Sequence, residues 1–129
     1  MQEIEIDFYS KFYGDTEVTL SLQTDEYRKK ISIWHFYFEN IMREMEQLED
    51  ESLCLSYYYH CVIGWDRDGT WKIPNLNSAL LQFKNIELLP DLQTNQKYFN
   101  AECRILNEII QMISEAIEKK VDIYISQIT

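Results

Sequence analysis

From Asn95 to Thr129 the chain contains neither glycine nor proline, and its apolar residues return every three or four positions. Phe99, Cys103, Leu106, Ile110, Ile113, Ile117, Val121, Tyr124 and Ile128 form one stripe, which Ile105, Ile109, Met112 and Ala116 widen. This spacing predicts a long amphipathic helix reaching the C-terminus, and a helix with so broad an apolar face must bury it against other elements.

A second helical period runs through Tyr27, Ile31, Trp34, Phe38, Ile41, Met45 and Leu48. Thr24 is placed to cap that helix, Asp25 and Glu26 suit its first turn, and Asp25/Lys29, Glu26/Lys30 and Glu39/Arg43 pair at i, i+4. It should end near Leu48 to Asp50, where an acidic cluster opposes the negative end of the helix dipole. Ahead of it, Ile4, Ile6 and Phe8 alternate with Glu3, Glu5 and Asp7, and Val18, Leu20 and Leu22 alternate with Glu17, Thr19 and Ser21. With Gly14-Asp15 between them, these read as a hairpin, with a short helix over residues 2–13 as the competing reading. Residues 53–73 read as a second hairpin through the turn Asp66-Arg67-Asp68-Gly69, although residues 51–63 also suit a helix. Asn77 is placed to cap a short helix that Leu88-Leu89-Pro90 closes. No linker or repeat divides residues 1–129. The expected fold is one α+β domain, with two long helices and a short one on a small antiparallel sheet; a mostly α bundle is the alternative.

The 129 residues are 46% hydrophobic and 14% aromatic, ample for a core, so the formal charge of −10 decorates a folded object. Residues 1–51 hold thirteen acidic and five basic side chains, part of them in the run Glu44-Met45-Glu46-Gln47-Leu48-Glu49-Asp50-Glu51. A pI near 4.6 argues against nucleic acid or an anionic membrane as partner and favours a basic protein. The start lacks the basic and apolar runs of a secretory signal, and no apolar stretch approaches about 18 residues, so a cytoplasmic protein is expected.

Cys54, Cys61 and Cys103 are odd in number without C-x-x-C spacing, which disfavours disulfides and zinc. Asp66 to Gly69 resembles part of a calcium loop but lacks its third acidic position and distant glutamate. His60 and Cys61 are neighbours that point apart in a strand or a helix, and His35 lies beside the apolar stripe. With glycine only at positions 14, 64 and 69, no phosphate-cradling loop can be written, and neither G-x-S-x-G nor H-E-x-x-H occurs. The sequence therefore predicts no enzyme, no metal and no cofactor.

An acidic run followed by Tyr57, Tyr58, Tyr59, Trp65 and Trp71 suits capture of a basic protein surface, with the field raising encounter and the rings supplying contact area. In size, acidity, acidic run and aromatic segment the chain resembles the small immunity proteins with which bacteria neutralise their own toxins, including those of contact-dependent growth inhibition. The resemblance implies tight one-to-one binding to a basic toxin domain, commonly a nuclease, by a protein that is monomeric when free. The expected contacts are Glu44, Glu46, Glu49, Asp50, Glu51, Asp66 and Asp68 for the field and Tyr57, Tyr59 and Trp71 for buried area. The alternative is a small regulatory or adaptor domain that forms a homodimer through its C-terminal helix.

Overall fold

Alternating apolar and polar side chains in a strand give a sheet one face to bury, and in this chain three helices cover that face. The computed structural model describes residues 1–45, 69–88 and 96–128. Among the described residues, β1 (Gln2–Phe8), β2 (Glu17–Gln23), β3 (Tyr27–Trp34), β4 (Gly69–Lys72) and β5 (Tyr124–Ile128) form one sheet in the order β1-β3-β2-β5-β4. The helices are α1 (His35–Arg43), α2 (Leu76–Lys84) and α3 (Gln96–Lys119). The fold is α+β, as the sequence predicts.

Val18, Leu20, Leu22, Ile31, Ile33 and Ile125 supply the buried sheet face, each at most 3% exposed. Phe38, Ile41 and Met42 of α1 and Ile105, Ile109, Met112, Ile113 and Ala116 of α3 belong to the same core, while Ala79 and Phe83 bring in α2. At roughly 1.5–3 kcal/mol for each large side chain buried, this layer is the main source of stability. The opposite sheet face is polar, with Glu3 3.7 Å from Arg28, Glu5 3.7 Å from Lys30, and the Thr70 and Ser126 hydroxyls 2.7 Å apart. At the far end of β3, Tyr27 donates to Glu115 Oε2 and Lys29 Nζ lies 3.4 Å from Glu115 Oε1, tying α3 to the sheet. The hydrogen bond to that carboxylate pushes the Tyr27 phenol up to about 12.

Four local expectations are corrected. The helix expected from Thr24 begins only at His35, because residues 27–34 form β3. Tyr27 and Ile31 are four apart, a spacing that satisfies both periods, and the alternation Tyr27, Lys29, Ile31, Ile33 with β-prone Ile and aromatic residues decides for the strand. Thr24 keeps its capping chemistry but uses it in the β2–β3 turn: its Oγ1 accepts from the Glu26 and Tyr27 amides at 3.2 and 3.1 Å. Its own amide donates to the Tyr27 carbonyl.

β1 and β2 do not pair as a hairpin. β3 lies between them, parallel to β1 and antiparallel to β2, so the sheet is mixed rather than antiparallel. The short Thr24–Glu26 turn closes the β2–β3 pair locally and leaves β1 to dock on the other side of β3. Of the second expected hairpin, only the return strand lies among the described residues, as β4, and it pairs with β5. α2 is capped by Asn75, not Asn77: the Asn75 side chain accepts from the Ser78 amide at 3.0 Å, directly after Pro74 sets an extended entry.

The last correction concerns the C-terminus. α3 stops at Lys119, and Val121, Tyr124 and Ile128 lie beyond it, the last two in β5. Lys120 takes a left-handed backbone (φ 58°), its amide donates to the Ile117 carbonyl at 3.3 Å and the Val121 amide to the Ala116 carbonyl at 3.0 Å. That pattern is a helix stop normally built on glycine, and lysine meets its steric cost there. Lys120→Gly is therefore expected to stabilise the protein by about 1 kcal/mol, read as a higher urea midpoint at unchanged slope. The buried arc of α3 is also rotated from the expected stripe. Ile105, Ile109, Met112, Ile113 and Ala116 are fully buried, while Phe99, Cys103, Ile110 and Ile117 are half-buried. The fully buried part of the apolar face packs inside the chain against the sheet, α1 and α2.

Candidate functional site

β1 and β2 are separated by β3, so residues 9–16 must cross the end of β3 to join them. Asp7 starts the crossing: its Oδ1 accepts from the Tyr9 and Ser10 amides at 2.8 and 2.9 Å, opening a 3-10 turn over Ser10–Phe12. The Ser10 hydroxyl, with these amides, holds the Asp7 carboxyl below its ordinary value against the opposing effect of burial. Gly14 turns the chain at φ 102°, a conformation that side chains other than hydrogen rarely adopt. The return is then pinned, because Trp34 Nε1 donates to Asp15 Oδ2 at 3.0 Å, the Tyr9 hydroxyl to the Asp15 carbonyl at 2.6 Å, and the His35 amide to the Thr16 carbonyl at 3.1 Å.

This geometry lays Phe12 flat on Trp34, with ring centres 3.8 Å apart and planes 1° from parallel. Tyr37 meets both rings edge-on, at 5.1 Å from Trp34 and 5.6 Å from Phe12. Tyr98, near the start of α3, lies 5.9 Å from Tyr37, and Phe36 lies 4.9 Å from Trp34. Burial, with Tyr98 and Glu102 nearby, pushes the Tyr37 phenol up. The outer members stay in water: Tyr13 is 85% exposed, Phe36 48% and Tyr98 38%. Phe36 and Tyr98 belong to the Trp34 cluster, whereas the Tyr13 ring meets only that of Tyr9, at 5.7 Å, on the crossing loop. Phe36, Glu39 and Arg43 are exposed at i, i+3 and i+7 on α1, so one solvent-facing strip runs from the cluster along roughly 13 Å of helix to Glu44.

Of the residues expected to bind a partner, Glu44 is exposed just beyond α1. Glu46, Glu49, Asp50, Glu51, Tyr57, Tyr59, Asp66 and Asp68 lie outside the described residues, as do His60 and Cys61. Trp71 stands opposite Ile125 in the β4–β5 pairing. Sequence reasoning missed Tyr9, Phe12, Tyr13, Trp34 and Phe36 as a surface; the only available signal was the density of aromatics at 8–13 and 34–38.

Burial, with the Glu102 charge beside it, pushes the Cys103 thiol up, away from the reactive thiolate. His35 Nδ1 sits 3.6 Å from Glu39 Oε1 on the same helix. Among the described residues no three His, Cys, Asp or Glu side chains converge to hold a metal ion, and no helix is long and apolar enough to cross a membrane.

Glu102 is the most confined carboxyl described, 6% exposed, with Asn40 Nδ2 donating to its Oε1 at 2.8 Å. Burial pushes its pKa up, only partly countered by Asn40 and by Arg43. A carboxyl raised in the folded state costs nothing below its unfolded pKa. The cost grows as pH rises towards the folded pKa and is full above it. Glu102→Gln retains the acceptor for Asn40 and is expected to raise the melting temperature at pH 7, with the gain vanishing in melts run near pH 3.

Comparison with protein-family models, with curated proteins and with solved structures found no match to the chain.

Proposed function

We propose that this chain is a non-catalytic, protein-binding domain of the immunity type, which neutralises a basic toxin domain, of the nuclease class, through a one-to-one complex. The observation that supports this reading is the exposed aromatic cluster built over the end of β3, from which a solvent-facing strip of α1 leads to Glu44. Phe36, edge-on against Trp34 of the stacked pair, and the exposed Tyr13 ring provide contact area at low entropy cost, and a chain of net charge −10 attracts a cationic surface to them. The acidic residues from Glu46 to Glu51, with Asp66 and Asp68, supply most of the field in this reading. Tyr13 and Phe36 join Tyr57, Tyr59 and Trp71 as contact residues.

The test is to read the gene immediately upstream and, if it encodes a large secreted protein with a basic C-terminal domain, to mix that domain with the protein; an upstream gene of any other kind counts against the reading. Light scattering should show a one-to-one complex, and the toxin activity should disappear at equimolar protein. Tyr13→Ala and Phe36→Ala are each expected to weaken the complex by about 2 kcal/mol, roughly thirtyfold in Kd. A toxin domain that remains fully active in excess protein would defeat the reading.

A further inference from the structure

β1 is an edge of the sheet, with β3 on one side and no strand among the described residues on the other. Its backbone groups divide between the two sides by parity. The Gln2 amide donates to the Glu26 carbonyl at 3.3 Å, and in a parallel ladder that bond turns the amides and carbonyls of Gln2, Ile4, Ile6 and Phe8 towards β3. Those of Glu3, Glu5 and Asp7 therefore face outward, where none meets another described backbone group. Natural edges are commonly blunted by proline, lysine, a bulge or a very short strand. The seven residues of β1 include neither proline nor lysine, and their register with β3 is unbroken, so the edge is guarded only by its carboxylates.

Glu3 and Glu5 are exposed on the polar face of the sheet, each 3.7 Å from a cation of β3, Arg28 or Lys30. Pairs this open to solvent are weak and leave the carboxylates able to take a second cation on their outer side. β1 itself carries three carboxylates and no cation, so a cationic row on β3 is followed by an anionic row that ends at the edge. On the opposite face, Ile4 and Ile6 stay half-buried. We propose that β1 accepts an added strand from a partner protein, an extended segment in which cationic and apolar residues alternate. Its backbone completes the ladder with Glu3, Glu5 and Asp7, its cations lie beside the carboxylates, and its apolar side chains cover Ile4 and Ile6. A second copy of this chain is the wrong occupant. Antiparallel pairing of two β1 strands through their outward groups sets Glu3, Glu5 and Asp7 against the same three residues, and like charges directly opposite are destabilising. The proposal uses neither the aromatic cluster nor the acidic run from Glu44, so it and toxin binding can fail separately.

The probe is a short blocked peptide alternating lysine and valine, with a scrambled peptide of the same composition as control for simple charge attraction. Titrated into isotope-labelled protein, the alternating peptide should saturate, shift the amides of Glu3, Glu5 and Asp7, slow their exchange with solvent, and bind about tenfold or more tighter than the scrambled one. Glu5→Pro removes an outward amide but no bond to β3, a placement that edge strands tolerate, and should weaken binding at least about tenfold. Glu5→Gln keeps the amide and loses the charge, and should weaken binding only about threefold. Exchange is read on the parent protein, so the test does not depend on the folding of the proline variant. Unchanged exchange at Glu3 and Glu5 with saturating peptide, equal binding of the scrambled peptide, or a folded Glu5→Pro that binds like the parent would each overturn the proposal. A dimer of the free protein with these amides already protected would assign the edge to a second copy and overturn it as well.

Discussion

Ile113→Asp is expected to remove at least about 3 kcal/mol of stability, a large part of the roughly 5–15 kcal/mol that holds a domain of this size together. Ile113 is fully buried on α3 within the layer shared with the sheet and α1, and no described cation is placed to pair with a carboxylate there. The new group must either keep its charge away from water or take up a proton, and both outcomes oppose folding at neutral pH. Ile110, three residues earlier on the same helix, is only half-buried, so Ile110→Asp should cost clearly less. Urea melts of the two variants measure both values. Equal costs would mean that the buried arc of α3 is centred elsewhere.

Trp34→Ala is expected to cost about 3 kcal/mol and to loosen the crossing loop. The indole stacks on Phe12, meets Tyr37 edge-on and donates to Asp15, so its removal takes a ring partner from the 3-10 turn and a hydrogen bond from the return of the loop. Amide exchange over residues 9–16 should quicken far more than over β2 or α3. Protection that falls evenly across the whole protein would show that the loop is held by something other than Trp34.

The long C-terminal helix and the α+β class were legible because each rests on local periodicity. The 24 residues of α3 carry one apolar repeat without a glycine or proline, and β2 alternates cleanly. What failed required non-local information. Tyr27 to Trp34 satisfies a helical spacing when read together with Phe38 and Ile41 and a strand alternation when read alone, and pairing on both edges, with β1 and β2, favours the strand. The insertion of β3 between β1 and β2 likewise has no local signature, and the aromatic cluster is its direct consequence: Phe12 reaches Trp34 because the loop has to pass over it. The left-handed Lys120 hid the end of α3, since a glycine is the usual marker of such a stop. Glu44 was legible as exposed acid, but its link to the cluster appears only once α1 is known to begin at His35.

Binding kinetics against the basic toxin domain, measured across a salt series, test the central claim most directly. Acidic residues outside the contact core govern association, whereas buried rings govern release. Reversing the charges of Glu49 and Asp50 should slow association and flatten its salt dependence, and Tyr13→Ala with Phe36→Ala should leave association nearly unchanged while hastening release by two to three orders of magnitude, about 4 kcal/mol at most. A complex whose association and release are the same for the parent, the charge-reversed protein and the double aromatic variant would contradict the assignment of this surface to the partner.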